Sequence, residues 1–217
     1  QSFNFIATVE AIIEAGAKPI IVNVDKSLNM CPLDLEKKIN KKTKVIIPVH
    51  MLGVSAKMNQ IMKIAKKYKL KVLEDNCESM GGKYNKKYLC NIGDAGVVSF
   101  DFGKTITCGE GGMILTKNKS IDKFSREYHD HGHELNPKYP RGLDTKTITG
   151  FNYRMTEMQA AVGKIQLKKL DTVIRESKKR YLAIYKKILK NKELEFREIP
   201  KNSEQIYDTL IFFVKNK

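Results

Sequence analysis

The chain has 217 residues, with 40 Lys or Arg against 24 Asp or Glu for a formal net charge of +16, 41% hydrophobic residues and four cysteines. That length accommodates one large α/β core and part of a second unit. Lysine supplies 34 of the cations and arginine six, spread over polar segments without interleaved aromatics, so the charge reads as a Lys-, Asn- and Ile-biased composition and nucleic-acid binding is set aside. No apolar run of roughly 18 residues and no signal peptide is present, which predicts a soluble, cytoplasmic protein with no membrane partner. Cys31, Cys77, Cys90 and Cys108 lack C-x-x-C spacing and read as free thiols.

Phe5 to Ala15 is apolar-rich, free of proline and followed by Gly16, which predicts a helix with a glycine stop. Lys18 to Val24 (KPIIVNV) predicts a strand, Asp34 to Ile39 a short helix, Val45 to Val49 a strand, Asn59 to Tyr68 an amphipathic helix, and Lys71 to Glu74 another strand. Strands alternating with helices at this spacing pair in parallel. Beyond a glycine-rich section, Ala95 to Phe100 and Gly112 to Thr116 read as strands and Ser120 to Tyr128 as a helix. Asn136 to Thr149, punctuated by Pro137, Pro140 and Gly142, reads as a loop. From Thr156 onward, Met158, Ala161, Val162, Ile165, Leu167 and Leu170 recur at helical spacing to about Ser177, and a related pattern runs on to Leu189. This predicts a long helix joining a large domain, 1–170, to a smaller unit, 171–217, in which Ile206 to Lys217 reads as an early strand.

The chemistry concentrates between Val72 and Thr116. One apolar run ends in Glu74 and Asp75, a loop follows, a second run ends in Ser99-Phe100, and Lys104 precedes Gly109-Glu110-Gly111-Gly112. In a βα chain, groups delivered at the ends of buried strands are where chemistry is usually placed. Lys104 is followed by four uncharged residues and sits between two predicted strands, a setting suited to a nucleophile or Schiff-base amine, although a loop lysine can equally be just solvated. His129, His131 and His133 would share one face only on a strand; they fall instead where a helix runs into a Gly/Pro loop, so no metal site is read from them.

Five segments, in order, resemble the DegT/DnrJ/EryC1/StrS family of sugar aminotransferases that use pyridoxal phosphate (PLP). They are SFNFIATVEAIIEAGAKPIIVNVD, KVIIPVHMLG, EDNCESMGG, SFDFGKTITCGEGGM and GFNYRMTEMQAAVGKIQLKKLD. The resemblance implies an aspartate-aminotransferase-like α/β/α sandwich with a mostly parallel sheet and the start of a small C-terminal α/β domain. It also implies an upstream segment with a phosphate-binding turn and a longer C-terminal domain, both expected to be missing here. Lys104 matches the Schiff-base lysine, Asp75 the acid that keeps the pyridine nitrogen protonated, and Glu78 the Gln or Glu beside the reacting amine, where it could hold or relay a proton. Phe5 matches the aromatic stacked on the cofactor ring, with a core phenylalanine as the alternative, and Cys77 the small residue beneath that ring. Ser99 matches the phosphate-binding serine. Asn152 matches the asparagine that reaches the phosphate from the neighbouring subunit, which implies a homodimer with a shared site. Arg154 is either a further phosphate partner or half of an interface salt bridge, Thr8 starts or supports its helix, and His50 is either structural or catalytic. Gly109, Gly111 and Gly112 let backbone pass close to the phosphate, as a plain turn would also require.

The implied reaction transfers an amino group from an amino acid, with glutamate as the expected donor, to a nucleotide-linked keto-sugar in cell-surface polysaccharide or lipopolysaccharide biosynthesis. A basic surface would steer such an anionic substrate. EDNCE in particular resembles the PLP/PMP-dependent sugar 3-dehydratases of the same family, whose members have His where this chain has Lys104, so that branch stays open. A basic nucleic-acid-binding or regulatory protein is the remote alternative.

Overall fold

A computed structural model describes residues 1–140 and 142–215. Arg141, in the expected loop, and Asn216 and Lys217, at the end of the expected C-terminal strand, lie outside the described residues.

The helices are α1 (Ala7–Glu14), α2 (Pro32–Lys38), α3 (Met58–Tyr68), α4 (Lys119–His129) and α5 (Glu157–Ile188). The strands are β1 (Val45–Ile46), β2 (Lys71–Asp75), β3 (Lys83–Tyr84), β4 (Lys87–Tyr88), β5 (Ala95–Ser99), β6 (Gly112–Thr116), β7 (Leu194–Phe196), β8 (Ser203–Glu204) and β9 (Phe212–Val214). The main sheet runs β1-β2-β5-β6, with the first three strands parallel and β6 antiparallel to β5. Parallel pairing puts the carboxyl ends of β1, β2 and β5 on one edge, where Val49 bridges Asp75 and the chain continues to His50, Asn76 and Phe100. No helix intervenes between β5 and β6, so the chain turns straight back, with Gly112 opposite Ser99. Lys104 lies in that return and therefore stays at the same edge.

α3 explains how one face of this sheet is covered. Met58, Ile61, Ile64 and Ala65 recur on one side of it and bury against Leu35 of α2, Ile46 of β1 and Val72 of β2. Burying each large side chain there contributes about 1.5–3 kcal/mol. Lys69 takes a left-handed conformation after the last turn, and the Leu70 N–H returns to the Ala65 carbonyl at 2.9 Å, which stops the helix. A second cluster, Val98, Phe100, Ile106 and Cys108, packs with Met155 and with Leu170 of α5. α5 begins at a capping box in which Thr156 and Gln159 satisfy each other's backbone N–H groups.

Several details differ from or refine these expectations. KPIIVNV forms no ladder: Val24 makes one antiparallel bridge to Met30, the Val22 and Asn23 carbonyls accept the Ser2 and Cys31 N–H groups, the Ile21 carbonyl accepts Lys38 Nζ and the Asn23 N–H donates to Asp34, so its β-forming residues pair only in isolation. Val45 to Val49 shrinks to a two-residue strand plus one bridge, and Ile206 to Lys217 to Phe212–Val214. The segment after Glu78 holds the β3–β4 hairpin, turned by Asn85 and Lys86 with φ of 51° and 63°. The two helical patterns after Thr156 are one helix of 32 residues that passes through Asp171 without a break.

Candidate active site

Asp101 builds the turn that presents Lys104. Its carbonyl accepts the Lys104 N–H at 3.0 Å, its carboxylate accepts the Gly103 N–H at 3.2 Å, and its own N–H donates to the Ser99 hydroxyl at 3.2 Å. Lys104 Nζ then lies 3.8 Å from Glu78 Oε1, with side-chain exposures of 22% and 18%, and 6.0 Å from the centroid of the Phe5 ring. Phe5 is 64% exposed, so one aromatic face stands open over the lysine rather than in the core.

Glu78 is fixed from its other side. Its Oε2 accepts the Leu52 N–H at 3.1 Å, which leaves Oε1 toward Lys104, and its carbonyl accepts the Gly53 N–H at 3.0 Å. Asp75, buried at the end of β2, is held through both carboxylate oxygens: Thr8 Oγ1 donates to Oδ2 at 2.8 Å and the Cys77 N–H to Oδ1 at 3.2 Å. Burial pushes the Cys77 thiol above its ordinary range, the adjacent Asp75 charge adds to this, and Lys104 opposes it. Cys77 is accordingly a protonated, non-nucleophilic surface at neutral pH.

His50 and Glu74 form a separate, fully buried pair behind the edge. The Ala56 N–H donates to His50 Nδ1 at 3.1 Å, so the ring proton sits on Nε2 and points to Glu74 Oε2 at 3.1 Å. Glu74 also accepts the backbone N–H groups of Cys90, Ile92 and Gly93 at 2.7–2.9 Å. Both ring nitrogens of His50 are thus engaged in holding loops together.

Phe5, Asp75, Cys77, Glu78 and Lys104 therefore come together, and Ser99 stands at the foot of the Lys104 turn. Asn152 does not join them: it is exposed, its segment bridges Asp130, and no hydrogen bond among the described residues ties it to Ser99 or Lys104. The Arg154 guanidinium pairs with Asp130 within the same chain. The three histidines diverge, with His129 on the Arg126 carbonyl, His131 in a left-handed turn and His133 on Asp144. Thr8, expected to start or support its helix, lies inside α1, which Ile6 precedes without a side-chain cap, and spends its hydroxyl on Asp75; the Leu52 N–H on Glu78 had no signal in the sequence.

A model of the DegT/DnrJ/EryC1/StrS aminotransferase family matches residues 1–217. The chain belongs to this family. It is similar to the GDP-perosamine synthase of Escherichia coli O157:H7, 38% identical over 210 residues, which cover 96% of this chain and 55% of the relative. Among solved structures it superposes on Helicobacter pylori PseC, an aminotransferase of pseudaminic acid biosynthesis, with a TM-score of 0.90, 25% identity, 98% of this chain and 56% of the other covered. It also superposes on the E. coli GDP-4-keto-6-deoxy-D-mannose-3-dehydratase with bound hydrated PLP, at a TM-score of 0.89 and 26% identity over 98% of this chain and 58% of the other. The fold is that of the PLP-dependent aminotransferases, and the chain spans about half the length of the curated relatives it matches.

Proposed function

We propose that the chain carries the cofactor-binding part of a PLP-dependent aminotransferase that moves an amino group from an amino acid, glutamate in the first instance, to a nucleotide-linked keto-sugar for cell-surface polysaccharide or lipopolysaccharide. The observation that carries this is Lys104 Nζ set beside Glu78 Oε1 and the open Phe5 ring, on the edge that also presents Asp75 and Ser99.

The donor set fits PLP. Asp75 keeps lone pairs beyond those taken by Thr8 and Cys77, and the Ser99 hydroxyl accepts from Asp101 and so retains its own proton to donate to a phosphate. Gly111 lets Met155 pack closely against the turn after Lys104, since a Cβ there would come within 2.8 Å of Met155 Cε. PLP supplies an electron sink when bound. Lys104 Nζ would hold it covalently and, as a free amine, would carry a proton at the reacting face; Glu78 would hold or relay that proton. Asp75 would hold its ring nitrogen, and Phe5 and Cys77 would pack against its ring.

Asn152 serves the phosphate of a second copy of this chain in a homodimer. Support comes from the face around it, where the rings of Phe124, Tyr128, Phe151 and Tyr153 form a cluster, stacked for Phe124–Tyr128 and edge-on for Tyr128–Phe151, and three of the four are largely exposed. Residues 1–170 would form the PLP-binding domain and 171–217 the linker and the start of the small one. No described helix is long and apolar enough to cross a membrane.

EDNCE and the likeness to a dehydratase structure favour a 3-dehydratase as the second reading, and the lysine at position 104 favours transamination. Product mass separates them: an aminated sugar from a keto-sugar and glutamate supports the aminotransferase, and a deoxygenated sugar without nitrogen assigns the dehydratase.

A further inference from the structure

Arg197, just beyond β7, is buried and makes no ion pair among the described residues. Its guanidinium donates instead to three backbone carbonyls: Nε to Ser27 at 2.6 Å, NH2 to Met51 at 2.6 Å and NH1 to Leu52 at 3.2 Å. Burial pushes its pKa down to about 10, against the opposing influence of Tyr181, Asp25 and Glu78. A buried cation used only on carbonyls calls for a reason beyond stability, because desolvation of a guanidinium is costly.

The carbonyls it selects supply that reason. Leu52 stands in the left-handed region, φ 49° and ψ 53°, which a branched residue disfavours without outside support. The same residue points its N–H at Glu78 Oε2. Asn29 holds the preceding Met51 N–H at 2.8 Å, so the turn is clamped on its donors by Asn29 and on its acceptors by Arg197.

We propose that Arg197 is a positioning residue for Glu78: by holding the Met51 and Leu52 carbonyls it fixes the left-handed turn whose N–H pins Oε2, and so keeps Oε1 facing Lys104. The segment after α5 thereby sets the geometry of the reacting amine through two links of backbone. This rests on the site proposed above.

Reductive methylation of the full chain without cofactor, using formaldehyde and cyanoborohydride and resolved by mass spectrometry at each lysine, tests it. At fixed, mildly alkaline pH, Glu78→Gln should speed modification of Lys104 about fivefold, because it removes the ion partner 3.8 Å away that occupies the amine. Arg197→Lys keeps the charge and loses the planar fork. It should speed Lys104 at least about twofold and add nothing in a Glu78→Gln background. Arg197→Gln should speed it as well, whereas loss of a nearby cation acting only through its charge would slow it. The groups facing Nζ in this comparison are Glu78, Cys77 and the Phe5 ring. An unchanged or slower Lys104 in Arg197→Lys, an acceleration that persists without Glu78, or equal acceleration of all lysines would overturn the proposal. No PLP is needed, so this result stands apart from whether PLP attaches at Lys104.

Discussion

The Thr8 hydroxyl donates to Asp75 Oδ2 at 2.8 Å, joining the first helix to the end of β2 across 67 residues of sequence. α1 buries no residue of its own, so this bond is how its position is communicated to the site. Thr8→Val preserves shape and removes the donor. PLP affinity should fall about tenfold, the equivalent of one hydrogen bond to a carboxylate, with an unchanged far-UV circular dichroism spectrum. Fluorescence titration checks this; wild-type affinity would reduce Thr8 to an anchor for α1.

Glu74 governs acid stability. Burial works against its ionisation, but the bonds from His50 and from the Gly93 and Ile92 N–H groups outweigh it and leave its pKa below the ordinary 4.5. Because the folded value is the lower one, the stabilisation is complete above about pH 4.5 and is lost as pH falls through the depressed value. Glu74→Gln turns an amide toward backbone donors and should cost about 3 kcal/mol in denaturant unfolding at neutral pH. It should also flatten the acid limb of the stability curve. A variant that keeps the wild-type acid profile would assign that limb to other carboxylates.

The thiols should divide by environment. Burial pushes Cys90 up to about 12, with Glu74 adding to it, and raises Cys77 further. Iodoacetamide at neutral pH should modify partly exposed Cys31 well before Cys77 or Cys90 in the native protein, and all of them together after unfolding. Peptide mapping reads the order, and early loss of Cys77 would contradict the packing given to it.

Much of this site could be read from the chain because its residues follow one another along two strand ends. Asp75, Cys77 and Glu78 are spaced by the exit from β2, and Ser99 and Lys104 by the return from β5 to β6. Contacts that bring distant segments together left no local trace. Thr8 on Asp75, Leu52 on Glu78 and Arg197 on the Met51 turn each depend on tertiary placement. KPIIVNV differs for a related reason: Ile20 and Ile21 favour a strand by composition, but a ladder needs a neighbouring strand, and the segment has only the Val24–Met30 bridge. The β3–β4 hairpin carries no local mark because Asn85-Lys86 turns it without the glycine that usually signals such a turn.

The proposed function singles out one amine among 34 lysines for reaction with PLP. Borohydride reduction of the PLP-treated full chain, followed by peptide mass mapping, tests it most directly. A phosphopyridoxyl group on Lys104, lost in Lys104→Ala, is the predicted result. Stable labelling of a different lysine, or labelling undiminished in Lys104→Ala, would contradict it.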